Sequence, residues 1–349
     1  MINELTTWDL NRPDLSVLRA RCGRQLRDVL SVRLSAPAEM LPLWRLFSQG
    51  DPVPAGSVNK LPTDELVATG LLIRLDGDYV RSTVCVAWND LPATAGWIAS
   101  DFEWQDGEEN YVGGPGNAAM TLAYARPPLS VGGCAVDLGT GSGALALGLL
   151  QHMDEVVVTD VNPRALAFAE LTSALAGESW TPLCGDGTAV LETDQAAFIS
   201  WNPPFVIGNP GRAHIFRDST VGEGQAQQIL TSIGCALPLG GVGQFLANWV
   251  YRESDPIEPI LAAARAANLD CLVIERAVVP PARYVQLWAG EGADHDAWTA
   301  GLKHAGAVAI GLGIITITPA TQPRRDQRVI RNYQLELQSL APIVQAWLT

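Results

Sequence analysis

The run Ala135-Val136-Asp137-Leu138-Gly139-Thr140-Gly141-Ser142-Gly143-Ala144-Leu145-Ala146-Leu147 sets the architecture of the chain. Its apolar lead-in reads as a buried strand. Three glycines at alternate positions read as a tight turn, because a residue without Cβ lets the backbone bend sharply and approach a ligand closely. From Ala144 to Leu150 the sequence predicts a helix. Strand, glycine loop and helix form the first unit of a doubly wound α/β domain.

The spacing sharpens that reading. It is Asp-x-Gly-x-Gly-x-Gly, with an acid opening the loop. It lacks the G-x-G-x-x-G interval of dinucleotide sites and the Lys-Ser/Thr of a phosphate-binding loop. Downstream, Glu155-Val156-Val157-Val158-Thr159-Asp160 reads as a second strand ending in an acid. A carboxylate at that place accepts both hydroxyls of a ribose. Phe198-Ile199-Ser200-Trp201-Asn202-Pro203-Pro204-Phe205 then reads as a strand that breaks into a stiff, proline-locked loop.

Asp137-x-Gly139-x-Gly141-x-Gly143 followed by Asn202-Pro203-Pro204-Phe205 resembles the class I S-adenosylmethionine-dependent methyltransferases. The order and intervals fit from about Val131 to Thr318. Within the class, an Asn-Pro-Pro-aromatic loop is similar to that of enzymes methylating planar nitrogens: glutamine amides, adenine N6 and guanine N2. A weaker, near full-length similarity is to bacterial proteins close to the release-factor glutamine methyltransferases. The resemblance implies a Rossmann-like domain with a mostly parallel seven-stranded sheet, and S-adenosyl-L-methionine as cofactor. It implies that Asp137, Gly139, Gly141 and Gly143 face the donor's amino-acid part, that Asp160 holds its ribose, and that Asp186 accepts from its adenine. Related sequences often carry an Asp where Ala196-Ala197 stand here.

The chain has 349 residues, enough for two domains, with 48% hydrophobic and 17% charged residues as in an ordinary globular protein. A net charge of -14 argues against nucleic acid as the main partner, since such binding draws its affinity from Lys and Arg on phosphates. Six scattered cysteines form no C-x-x-C pair, so neither a metal site nor a disulfide framework is expected. No signal peptide or membrane-spanning run is read, and the expected compartment is the cytoplasm.

Taken in order, residues 1–88 read as a small helical, winged-helix-like domain. Helices are expected from Asp14, over Ala38–Phe47 and from Thr63. A hairpin follows, in which Leu71–Leu75 and Tyr79–Val84 flank Asp76-Gly77. Residues 89–130 read as a connector lining the active site, with the acidic, aromatic run 101–111 and a short helix from Ala118 to Tyr124. Residues 131–349 read as the methyltransferase domain, in which strands and helices alternate.

A sulfonium methyl group is already activated, so the harder task is presenting a poorly nucleophilic planar nitrogen. Asn202 offers a side-chain carbonyl, Pro203 a main-chain carbonyl on a rigid unit, and Phe205 a flat ring. These three are the expected catalytic residues. Glu108, Glu109 and Tyr111, with Asn202 and Phe205, are the expected substrate contacts, paired glutamates being suited to a guanidinium. His214, Phe216, Arg217 and Asp218 follow the loop and are candidates for the substrate mouth. The expected activity is methyl transfer to a guanidino or amide nitrogen, leaning to a small cationic acceptor such as free arginine. Glutamine in a partner protein and guanine in ribosomal RNA are the alternatives, and a donor-binding regulator without catalysis is the non-enzymatic one. The oligomeric state is left open.

Overall fold

The structure, a computed structural model, describes residues 16–31, 37–105, 110–186, 191, 196–208, 224–289, 293–320, 325, 327–331 and 336–349. In chain order the first elements are α1 (Ser16–Ser31), α2 (Pro37–Trp44), β1 (Val53–Pro54), α3 (Thr63–Ala68), β2 (Leu72–Leu75), β3 (Tyr79–Ser82), β4 (Cys85–Asn89), β5 (Gly96–Ser100) and α4 (Asn117–Ala125). There follow β6 (Cys134–Leu138), β7 (Glu155–Asp160), α5 (Pro163–Ala176), β8 (Thr181–Cys184), β9 (Phe198–Trp201), α6 (Gln225–Ala236), β10 (Val242–Tyr251) and α7 (Glu258–Ala266). The last are β11 (Leu269–Val279), α8 (Pro281–Trp288), α9 (His295–His304), β12 (Ala309–Pro319), β13 (Arg328–Arg331) and α10 (Leu340–Leu348). The large sheet has eight strands, in the order β13-β11-β12-β10-β9-β6-β7-β8. That is one more than the expected seven, and the addition is β13, laid parallel to β11. Strands alternate with helices, and the sheet is mostly parallel, as in the Rossmann-like class.

Contacts divide the chain into two compact units: Met1–Met120 with Thr140–Asp186, and Thr121–Gly139 with Gly187–Thr349. In the first unit, α2 continues as a π turn that Gly50 stops in the left-handed region, φ +71°. β3 pairs antiparallel with both β1 and β2, and the β2–β3 loop turns at Gly77 (φ +75°) and Asp78 (φ +60°). β4 and β5 make a second antiparallel pair. Leu26, Leu46, Phe47, Leu66, Leu72 and Val80 join Phe168 and Leu171 of α5 in one buried cluster. Helices α1 and α5 approach closely because Gly23 has no Cβ; one there would stand 2.7 Å from Ala174 Cβ. The sequence signals of α5 are all used. The Asn162 side chain caps it, Pro163 opens it and Gly177 closes it.

The helix expected over Ala144–Leu150 does not form. Successive three-residue turns replace it: Gly143 N–H donates to Thr140 O, Ala146 to Gly143 O, and Leu149 to Ala146 O. Gly143 and Gly148 sit at φ +80° and +75°, which no right-handed helix accommodates. The apolar run mimics a helix because Ala144 to Leu147 and Leu149 are all buried.

In the second unit β6, β9 and β10 run parallel, and β12 runs opposite to both β10 and β11. Strands β10 and β11 run ten and eleven residues, and their apolar middles are buried on both faces. No described helix is long and apolar enough to cross a membrane.

Candidate functional site

The predicted residues fall into two groups, one in each unit. In the first, Thr140 N–H donates to Thr159 O (2.8 Å) and Gly141 N–H to Asp160 Oδ2 (3.0 Å). Asn162 N–H donates to Asp160 Oδ1 (2.9 Å), so both oxygens of this carboxylate are oriented by backbone N–H groups. Burial pushes the Asp160 carboxyl above the usual aspartate range, and the N–H groups of Asn162, Gly141 and Val161 partly offset it. Gly141 and Gly143 play different parts. Gly143 is closed in: a Cβ there would lie 2.7 Å from the Trp180 ring. Gly141, at φ +54°, faces space with no atom within 4 Å of a Cβ. Asp186 is exposed and follows Gly185, whose N–H donates to Asp160 O (3.0 Å).

Around Asp160 the structure adds a feature that sequence reading missed. Asp101 is fully buried and takes a two-pronged contact from Arg164, with Nε at 3.1 Å from Oδ2 and Nη2 on Oδ1. Val112 N–H also donates to Asp101 Oδ2 (2.9 Å), and Asp101 N–H returns a bond to Val112 O. Asn162 Nδ2 donates to Asn110 O (3.3 Å). The stretches on either side of 106–109 are thus tied to the start of α5. Tyr111 lies half-buried over Gly113. Glu108, Glu109, His214, Phe216, Arg217 and Asp218 lie outside the described residues. A signal for the Asp101–Arg164 pair was present only as two charges 63 positions apart, which no periodicity connects.

In the second unit, Asp137 is buried on β6 opposite Ser200 of β9, and Leu138 pairs with Trp201. Gly139 keeps its Cβ position 3.3 Å from Trp201 Nε1. Immediately after β9 comes the Asn202 loop, whose backbone is held by four side chains. Gln225 Nε2 donates to Pro204 O (2.6 Å) and Asn248 Nδ2 to Phe205 O (3.3 Å). Ile207 N–H donates to Tyr284 Oη (2.9 Å), and Trp298 Nε1 donates to Ile207 O (3.1 Å). Asn248 Nδ2 also reaches Tyr284 Oη (2.8 Å), linking two of the clamps. Pro203 is buried, and Phe205 is buried edge-on to Trp288 with ring centroids 5.4 Å apart. Asn202 differs from its neighbours: its Oδ1 is buried and has no hydrogen-bond partner. A buried amide oxygen left without a donor is unfavourable unless something outside the chain supplies one.

Residues 121–234 match the family described as methyltransferase small domain. That is about a third of the chain. No curated protein matches. Among solved structures, the chain is similar to Trm5b from Pyrococcus abyssi at 14% identity and TM-score 0.40, covering 70% of this chain and 61% of that one. It is similar to a class I S-adenosylmethionine-dependent methyltransferase from Listeria monocytogenes, so described provisionally, at 14% identity and TM-score 0.39, with 66% and 68% covered. A third is a methyltransferase from Thiobacillus denitrificans in complex with S-adenosyl-L-homocysteine, at 14% identity and TM-score 0.33, with 56% and 88% covered.

Proposed function

We propose that the chain is an S-adenosylmethionine-dependent methyltransferase acting on a planar guanidino or amide nitrogen of a small molecule. The observation that carries this reading is the buried, unpartnered Oδ1 of Asn202 on a loop whose next residues are clamped. An acceptor oxygen fixed in that way suits an N–H of the substrate. By holding that N–H it orients the nitrogen and favours a geometry in which the lone pair is turned out of conjugation toward the methyl group. The Pro203 carbonyl offers a second acceptor on a unit that cannot rotate. Phe205, fixed by Trp288, gives the flat group a wall.

The residues of the first unit fit the donor. The open space at Gly141 and the aligned Asp160 carboxylate suit, respectively, a close backbone approach and a diol. Bound there, S-adenosyl-L-methionine would supply an electrophilic methyl group. Asp137, Gly139 and Gly143 are assigned to the same ligand, and Asp186 to its adenine. Tyr111 is assigned to the acceptor, as are Glu108 and Glu109.

Incubation with labelled donor and a panel of free amino acids, peptides and RNA tests this. Label on the side-chain nitrogen of a free amino acid is the expected result. Binding of S-adenosyl-L-homocysteine with no transfer to any member would favour the donor-binding regulator and overturn the enzyme reading.

A further inference from the structure

Strand β11 carries a bulge between Glu275 and Ala277, and Arg276 is the extra residue. Its neighbour Glu275 has no exposed surface and accepts from Trp249 Nε1 (2.9 Å) and Tyr251 Oη (2.5 Å). Those partners stand at odd positions of β10, on one face of the sheet. Even positions face the other way. There Gln244 Nε2 donates to Ala125 O (2.9 Å), and Asn248 holds Phe205 O. Arg276 belongs to this second face: its Nη1 donates to Thr121 Oγ1 (2.9 Å), one turn before Ala125 on α4. Ala277 pairs with Leu312, and Leu312 with Asn248. Arg276 therefore lies two strands across from the residue that anchors the Asn202 loop, about 10 Å at ordinary strand spacing.

Arg276 is half-buried, its Nε is wholly buried without a hydrogen-bond partner, and no described carboxylate pairs with it. Two other shielded arginines have carboxylate partners: Arg164 has Asp101 and Arg325 has Asp270. Burial accordingly lowers the pKa of Arg276. A guanidinium has five donors, and shielding it with one neutral partner is unfavourable unless an anion completes it. A carboxylate matches its fork. Trp288 Nε1, at the end of α8 beside Phe205, is a second buried donor without an acceptor. The face thus offers N–H groups at Arg276 and Trp288, and an acceptor at Asn202.

We infer that Arg276 binds the carboxylate of the methyl acceptor, which is therefore a free amino acid with a planar nitrogen in its side chain. This rests on the methyl-transfer reading above for the word acceptor, and on geometry alone for the carboxylate site.

The test uses the full chain with 15N-labelled arginine, titrated with L-arginine and L-glutamine and with their carboxamides. The Arg276 Nε–H resonance, assigned by its loss in R276K, should shift with the acids and stay still with the amides. R276M should weaken binding of the acids about tenfold or more, the loss of a charge-assisted pair. It should leave S-adenosyl-L-homocysteine affinity unchanged and melt no lower than wild type, since it removes an unmatched charge. A resonance unmoved by both acids would overturn the site, as would a lowered melting temperature with unchanged acid binding. Methyl transfer equal in wild type and R276M would overturn the site and leave the methyltransferase reading standing. Acid binding at Arg276 without methyl transfer would overturn that reading, and the acceptor assignment with it, but not the carboxylate site.

Discussion

The glycine loop and the Asn202 loop each follow a strand of the large sheet, yet they are held by opposite means. The glycine loop is fixed mainly by backbone-to-backbone bonds, Gly143 to Thr140 and Thr140 to Thr159, with one side chain, Asp160, on Gly141 N–H. The Asn202 loop is fixed by side chains from four later elements, through Gln225, Asn248, Tyr284 and Trp298. A backbone-held loop tolerates side-chain changes and fails when a Cβ is added. A side-chain-held loop behaves the other way round, and Asn202 Oδ1 stands out because the backbone groups after it are held while it has no partner.

That contrast can be broken most directly at Asn202. Asn202→Ala should lower turnover about 10²–10³-fold, the range for losing one positioned hydrogen bond at the reacting group, with donor affinity unchanged. Equal loss of donor affinity, measured by calorimetry, would show that the two loops do not divide the work. At Gly143, Ala should destabilise by about 2–5 kcal/mol, from left-handed strain plus a forced shift of Trp180. Chemical denaturation of the variant checks this.

Tyr284→Phe sharpens the comparison from the other side. It leaves Ile207 N–H and one Asn248 donor without an acceptor, at a cost of about 1–3 kcal/mol. Steady-state kinetics should show a lower kcat with donor affinity intact, because only the second loop is loosened. Gly141→Ala, at positive φ but facing open space, should cost about 1–2 kcal/mol, less than Gly143→Ala in the same denaturation experiment. Should the two glycines prove equal, packing against Trp180 is not what distinguishes them.

The smallest effect is on pH. Because the folded Asp160 carboxyl lies above its unfolded value, the folded state holds this proton more tightly. Stability should fall as pH rises from the ordinary aspartate range to the raised value, then level off. Asp160→Asn should abolish that slope. Donor affinity should follow the reverse course, lost on acidification below the raised value, since the neutral carboxyl accepts less well.

Much of the first loop was legible in the sequence. Its acid, its glycines and the Asn162-Pro163 start of α5 are adjacent residues whose backbone demands are local. The same locality produced the one clear misreading there: an apolar run after Gly143 looks helical by spacing, but glycines at positive φ interrupt it. The second loop was legible only as a motif. Nothing in Asn202-Pro203-Pro204-Phe205 points to Asn248 or Tyr284, because those residues reach the loop from the neighbouring strand β10 and from the later helix α8.

By itself the sequence determined the α/β alternation, the glycine turn, the caps of α5 and the residues that carry the two motifs. These follow from backbone sterics and from the period of apolar side chains, which act over a few residues. Only the tertiary structure decided which polar groups find partners. Asp101 finds Arg164, and Glu275 finds Trp249 and Tyr251. Asn202 Oδ1 and Arg276 Nε find none. Satisfaction of a hydrogen bond depends on what lies within about 3 Å in space, and a linear chain does not record that distance.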